Sequence, residues 1–103
     1  MAKMLVIYKH PTNPKAFDEH YFGVHLPLAM KLPGLRKYEV SRGPIVSPRG
    51  ASDAYLIGTL HFDDMQAIER AFASPEGQAC ALDVPKYARS EDVQMFLFDD
   101  HAP

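Results

Sequence analysis

Apolar residues along this chain form short runs that are typical of strands. The run from Met4 to Lys9 is apolar and partly β-branched, and the run from Ala54 to Phe62 is almost wholly apolar. Such runs, bounded by Pro, Gly, Asn or Asp, predict buried strands. The four predicted strands are Met4–Lys9, Leu35–Val46, Ala54–Phe62 and Val93–Asp99.

Two other stretches carry the spacing of an amphipathic helix. In the first, the apolar positions recur at intervals of four, three and four residues, and they are Phe17, Tyr21, Val24 and Leu28. Asn13 followed by Pro14 is a typical helix start. Pro27 cannot donate to the carbonyl of Gly23, so we expect a kink directly after His25.

The second helical stretch begins after Asp63 and Asp64 and is renewed by Ser74, again in N-cap sequence. Its apolar stripe is formed by Met65, Ile68, Ala71 and Phe72. The resulting order is β-α-β-β-α-β, which predicts an α+β, ferredoxin-like antiparallel sheet with two helices on one face.

The predicted strands are apolar on both faces, although two helices cover only one face. Met4, Val6 and Tyr8 alternate with Leu5 and Ile7. A bare second face would expose a larger apolar patch than soluble monomers usually carry. We therefore expect a homodimer that forms through the sheet face away from the helices.

Composition narrows the class of protein. The 103 residues, 47% of them hydrophobic, fit one domain spanning 1–103. A single cysteine, Cys80, favours a reducing cytoplasm, and the N-terminal apolar run is too short for a membrane span. The net charge of −2 and the lack of a basic-Gly-aromatic run in the third strand argue against nucleic acid as a partner.

His25 is the strongest candidate for a catalytic residue. It lies beside the apolar stripe of the first helix, at the predicted kink, and a histidine with a pKa near 6.5 suits a general base. The same position also suits a core histidine that only hydrogen-bonds a carbonyl. Tyr8, Tyr38 and Tyr55 lie on the predicted strands, but the sequence leaves their register, and so their facing, open.

Metal and cofactor motifs are lacking. His20 and His25 are five residues apart, about 140° around an α-helix, so that they do not form a chelating pair. No glycine-rich phosphate loop occurs, and Cys80 among small apolar residues is typical of packing. We expect neither a metal nor a cofactor.

The first helix also carries a family motif. Phe17-x3-Tyr21-x3-His25-x-Pro27-Leu28, followed by Pro33-Gly34-Leu35, resembles the EthD family, which is named for an accessory protein of ethyl tert-butyl ether degradation. Phe62-Asp63-Asp64, Ser74-Pro75-Glu76-Gly77 and Asp83 resemble the family's second half. The resemblance covers nearly the whole chain and implies a dimeric α+β barrel, in which two ferredoxin-like sheets pack face to face.

Related barrels include cofactor-free monooxygenases, muconolactone isomerases, haem-degrading enzymes, and polyketide cyclases or decarboxylases. The resemblance therefore implies a pocket between sheet and helices with His25 as the catalytic residue. The residues expected to bind a small apolar cyclic or aromatic ligand are Tyr8, Phe17, Tyr21, Leu28, Tyr38 and Tyr55. The alternatives are a non-catalytic accessory or ligand-binding protein of a degradation pathway, and a purely structural or regulatory dimer.

Overall fold

A four-stranded antiparallel sheet with helices on one face forms the protein, in a computed structural model that describes all 103 residues. The sheet strands are β1 (Ala2–Lys9), β2 (Lys37–Val40), β5 (Ala54–Phe62) and β6 (Val93–Asp99), in the order β2-β5-β1-β6. Between β2 and β5, the short strands β3 (Val46–Ser47) and β4 (Gly50–Ala51) form a separate hairpin. The expected α+β, ferredoxin-like order of the main elements is confirmed.

The helices occupy the two crossovers of this sheet. The first crossover contains α1 (Pro14–His20), a π-helical turn (Tyr21–His25) and α2 (Leu26–Ala29). The second contains α3 (Met65–Ala73) and α4 (Pro75–Asp83), followed by 3₁₀ turns at Val84–Lys86 and Ser90–Asp92. None of these helices has the length and apolarity needed to cross a bilayer.

The side chains of β1 and β5 alternate strictly between the core and the outer face. Val6, Leu56 and Leu60 are buried with Ile68 and Tyr21 from the helices, and they form the core. The outer face also carries apolar side chains, because the register aligns Leu5 with Phe96 and Ile7 with Ile57. Its apolar side chains are Leu5, Ile7, Ile57, Phe96 and Phe98, of which Phe96 and Phe98 are 48% and 40% exposed.

The second strand is shorter than the predicted Leu35–Val46, since it covers only Lys37–Val40. Gly43 has a φ of +78°, which turns the chain away from the sheet, and Pro44 has no N–H to continue a ladder. The apolar residues that follow the proline contribute instead to the β3–β4 hairpin.

The first helix is irregular where the sequence predicts a kink. The backbone N–H of Leu26 donates to the carbonyl of Tyr21, five residues earlier, so the turn is widened just before Pro27. Pro27 supplies no N–H of its own to the helix ladder. The helix is therefore not regular at this place and contains a π turn, whereas the kink itself stays a prediction.

Side-chain caps begin the helices at the predicted residues. The side chains of Asn13, Asp64 and Ser74 accept hydrogen bonds from backbone N–H groups in the first turns of α1, α3 and α4. Ser74 both ends α3 and begins α4, so the two helices meet at a sharp corner. Gly77 fills this corner: a Cβ there would lie 2.2 Å from the carbonyl oxygen of Ala71 and 2.4 Å from the Cα of Phe72.

This close approach predicts opposite effects of two glycine substitutions. Gly77→Ala forces backbone atoms apart and should lower the free energy of unfolding by about 1–3 kcal/mol. Gly23→Ala has no atom within 4 Å of the new Cβ, and it should raise that free energy by about 0.5–1 kcal/mol. Thermal unfolding of both variants measures the effects, and equal melting temperatures would contradict this account of the corner.

Candidate active site

A cavity of about 110 Å³ lies between the sheet and the helices and is partly open to solvent. Strands β1, β2, β5 and β6 and both helical crossovers contribute to its wall. Of the 13 lining residues, 12 are hydrophobic, and the exception is His25. An empty apolar cavity of about 150 Å³ is known to hold benzene, so this cavity has the scale of one small ring.

His25 is held by a buried carboxylate. Its Nδ1 lies 3.0 Å from Oδ2 of Asp83, the last residue of α4. The two residues are only 5% and 2% exposed. His25 ends the π turn of the first crossover and Asp83 ends α4 of the second, so this contact joins the two helical crossovers.

Burial and hydrogen bonding set the charges of this pair. Burial lowers the pKa of His25, and the contacts with Asp83 raise it by less, so that it stays below the ordinary 6.5. Burial by itself raises the pKa of Asp83, but hydrogen bonds from His20 and His25 outweigh this effect and hold it below its usual value. At neutral pH a neutral imidazole therefore faces an ionised carboxylate.

These charges fix the tautomer of His25. A carboxylate only accepts hydrogen bonds, so Nδ1 carries the proton and donates it to Asp83. Nε2 of His25 makes no hydrogen bond within the protein. Every side-chain nitrogen or oxygen that is fully buried does have a hydrogen-bond partner, so Nε2 is not fully buried. Nε2 therefore reaches accessible space, and since His25 lines the cavity, its lone pair is the one available to a ligand there.

His20 binds the same carboxylate from the other side. Its Nε2 lies 2.9 Å from Oδ1 and 3.1 Å from Oδ2 of Asp83. The expected separation of about 140° between His20 and His25 assumes a regular α-helix. The π turn adds a residue to the turn between them, so both rings face Asp83, and this convergence was not predicted from the sequence.

Two tyrosine pairs complete the polar groups near the cavity. The hydroxyls of Tyr8 and Tyr87 are 2.6 Å apart, and those of Tyr21 and Tyr38 are 2.8 Å apart. Each pair has two hydroxyl protons but uses only one internally, which leaves one for a ligand. Tyr8 and Tyr38 are the members that line the cavity. Burial raises the pKa of both, so they remain protonated donors.

Gly58 makes room for one of these pairs. A Cβ at this position of β5 would lie 3.2 Å from the hydroxyl oxygen of Tyr21 and 3.3 Å from that of Tyr38. A larger residue would displace the hydroxyls, because both distances are shorter than ordinary van der Waals contact.

The structure brings together part of the predicted ligand-binding set. Tyr8 and Tyr38 line the cavity with His25, and the ring of Tyr21 lies 5.6 Å from that of His25. Phe17 stacks on Tyr21, with ring centres 5.8 Å apart, and is a second layer behind the cavity wall. Leu28 packs against the core without lining the cavity.

Tyr55 lies apart from this cavity. Its hydroxyl donates to Oδ1 of Asp18 at 2.9 Å, and His10 packs edge-on against its ring. These three residues line a different cleft, beside the β3–β4 hairpin.

Sequence reasoning gave no role to Asp83 or Tyr87. Asp83 appeared only as one residue of the family-like second half, and nothing in the spacing connected it with the first helix. Tyr87 directly follows the 3₁₀ turn after α4, and its ring lies 5.0 Å from that of His25. Both residues reach the site through tertiary packing, which the local pattern does not record.

Cys80 lines the cavity but remains a thiol. Burial raises its pKa to about 11, so it carries no thiolate at neutral pH and offers no nucleophile. The trio of His20, His25 and Asp83 is bound by its own hydrogen bonds, and no group of His, Cys, Asp or Glu side chains has an arrangement that could hold a metal ion.

Comparison with known proteins relates this chain to a protein family. The EthD domain model matches residues 9–91. A Rhodococcus erythropolis protein of 11.0 kDa from the thcB–thcC intergenic region is 36% identical over 97% of this chain and 95% of its own. The crystal structure of an EthD family protein from Bacillus halodurans is also 36% identical, with a TM-score of 0.89 over 98% of this chain and 99% of that one.

More distant structures share the fold. SnoaB, a cofactor-independent oxygenase from Streptomyces nogalater, has a TM-score of 0.66 at 17% identity, covering 99% of this chain and 93% of its own. A dimeric ferredoxin-like protein from a Jannaschia species has a TM-score of 0.69 at 16% identity, covering 97% and 100%. The match over residues 9–91 and the two relatives at 36% identity show that this chain belongs to the EthD family.

Proposed function

We propose that this protein binds a small apolar cyclic or aromatic metabolite and acts on it as a cofactor-independent enzyme, with His25 as general base. The observation that carries the proposal is the Asp83-oriented imidazole in an otherwise hydrophobic cavity. A general base needs a fixed tautomer, a free lone pair at the substrate and a pKa near or below neutrality. The contact between Nδ1 and Asp83, the lack of a protein partner at Nε2 and the lowered pKa of His25 support this role.

The chemistry that this geometry supports begins with proton abstraction. Nε2 of His25 would take a proton from a carbon next to a ring carbonyl, or from a ring hydroxyl. Negative charge then grows on the substrate oxygen, and a hydroxyl of Tyr8 or Tyr38 would donate to it. Asp83 would stabilise the imidazolium that forms, as the buried carboxylate does in other acid–base sites. Isomerase, lyase and cofactor-free monooxygenase reactions can all begin with this step.

The apolar wall supports the same proposal. It limits the contact of the reacting atoms with water, which strengthens the hydrogen bonds that the tyrosines and His25 make. The cavity volume of about 110 Å³ favours a ligand with a single ring over one with fused rings. The fold itself carries cofactor-independent oxygenation in SnoaB, which is compatible with catalysis by side chains alone.

The alternative is a non-catalytic accessory or ligand-binding protein that uses the same cavity. The hydrophobic character of 12 of the 13 lining residues favours retention of an apolar ligand even without chemistry. Binding without proton transfer separates this alternative from the enzyme.

We also propose that two copies associate through their outer sheet faces, in the reducing cytoplasm that a single unpaired cysteine favours. Phe96 and Phe98 leave apolar surface exposed on this face. A protein of this fold from Jannaschia is described as dimeric. A symmetric interface of the two faces would bury about 1,200–2,000 Å², the size of a stable contact.

Proton transfer from a ring ketone tests the proposed function. Cyclopentanone in D₂O exchanges the hydrogens next to its carbonyl, and proton NMR measures the rate with and without protein. His25→Gln keeps an N–H for Asp83 but has no base, so we expect it to reduce the protein-catalysed rate by about 10²–10⁴-fold. His61→Leu, which removes a histidine paired with Glu39 outside the cavity, should retain the full rate.

An unchanged rate in His25→Gln would contradict the role of His25. Binding of cyclopentanone and phenol to the wild type, with no acceleration of exchange, would favour the accessory protein instead.

The lowered pKa of His25 predicts a pH dependence of stability. At pH values between the ordinary pKa of 6.5 and the lower pKa of folded His25, this residue binds more protons in the unfolded chain than in the folded protein. The stability contribution is therefore complete above 6.5 and is lost as the pH falls below it. Urea unfolding at about pH 8 and about pH 5 should show a larger decline for the wild type than for His25→Gln. Parallel declines would contradict a buried neutral His25.

A charge on the outer face tests the dimer. Phe96→Glu places a carboxylate in the proposed interface, and sedimentation should then give the monomer mass of 11.5 kDa, against about twice that mass for the wild type. Leu82→Glu is the matched control, because Leu82 is 74% exposed on α4, and it should remain dimeric. A monomeric wild type at micromolar concentration would overturn the proposal.

A further inference from the structure

Asp83 depends on two histidines for its charge. Its side chain is 2% exposed, yet no lysine, arginine or backbone N–H contacts it. A carboxylate in such surroundings stays ionised only when hydrogen bonds replace its water. Nδ1–H of His25 donates to Oδ2 of Asp83, and Nε2–H of His20 donates to Oδ1.

His20 lies outside the cavity that His25 lines. Its side chain is 26% exposed and borders an open surface cleft next to Lys86 and Arg89. Its ring stacks on Tyr87, with centres 5.3 Å apart and planes at 24°. A ligand in the cavity therefore does not touch His20, and any effect of His20 on such a ligand passes through Asp83 or Tyr87.

We propose that His20 is the positioning residue of this site: it holds the Asp83 carboxylate so that Oδ2 receives Nδ1–H of His25 and Nε2 remains a free base in the cavity. The inference rests on the proposed role of His25 as base. The π turn makes the arrangement possible, because it aims both rings at one carboxylate.

His20 and His25 are linked through the carboxylate that they share. Loss of the donor at Nε2 of His20 would leave Asp83 a stronger acceptor for His25, and therefore better able to stabilise the His25 imidazolium. The other titratable groups packed on this pair are Tyr87 and Tyr21 against the rings and Cys80 near Asp83, and Lys86 and Arg89 border the same cleft as His20. Burial raises the pKa values of the two tyrosines and of Cys80, so these three groups are neutral at physiological pH. Neither Lys86 nor Arg89 forms an ion pair with Asp83.

The test is the titration of His25 followed by ¹⁵N NMR of the whole protein, without any ligand. The wild type should show a protonated Nδ1 and an unprotonated Nε2 in His25 at neutral pH. His20→Ala removes one donor from Asp83, so the Asp83–His25 pair should bind a proton more tightly, and the apparent pKa of His25 should rise by about one unit or more. His20→Gln retains a neutral N–H donor and should restore the wild-type value.

His61→Leu is the matched control, because His61 pairs with Glu39 and neither contacts Asp83 nor lines the cavity, and it should leave His25 unchanged. An unshifted His25 in His20→Ala, or an equal shift in His61→Leu, would overturn the proposal. If His20→Ala does not fold, His20→Phe takes its place, because it keeps an aromatic ring against Tyr87 but has no donor for Asp83. It should raise the pKa of His25 in the same way, and an unshifted His25 in this variant would also overturn the proposal. Because no ligand is used, failure here is separate from failure of the ketone exchange test.

Discussion

The buried carboxylate of Asp83 is the constraint on which the site depends. A charge in a low-dielectric interior costs several kcal/mol unless hydrogen bonds compensate it, and here two imidazole N–H groups do so. This requirement ties the end of α4 to the first crossover and fixes how His25 faces the cavity. Removing either histidine leaves the carboxylate with fewer donors, so the geometry of the site and the local stability are set by the same contacts.

The π turn is the structural device that meets this requirement. In a regular helix His20 and His25 would point in different directions, and one carboxylate could not serve both. Widening the turn costs regular hydrogen bonding next to Pro27, where the ladder is already interrupted. π-helical turns of this kind occur often at functional sites. Its place here, between the two histidines, connects the local backbone directly with the proposed chemistry.

Much of the fold was predictable because its signals are local. The alternation in β1 and β5 and the caps at Asn13, Asp64 and Ser74 depend on neighbouring residues, and the structure confirms them. The second strand was predicted too long because Val46, which lies beyond the Gly43–Pro44 break, is also typical of a strand. His25 was found from its position beside the stripe and from the family motif. Its partner was not, because a contact across 58 residues leaves no periodic trace.

The tyrosines show the same limit. Strand register decides that Tyr8 and Tyr38 line the cavity whereas Tyr55 pairs with Asp18 elsewhere, and register is a property of the whole sheet. A crystal structure of the protein soaked with phenol tests the central claim most directly. The account predicts the ring inside the cavity, with its oxygen within hydrogen-bond distance of Nε2 of His25 and of a hydroxyl of Tyr8 or Tyr38. An empty cavity, or Nε2 of His25 bonded to a protein carbonyl, would contradict it.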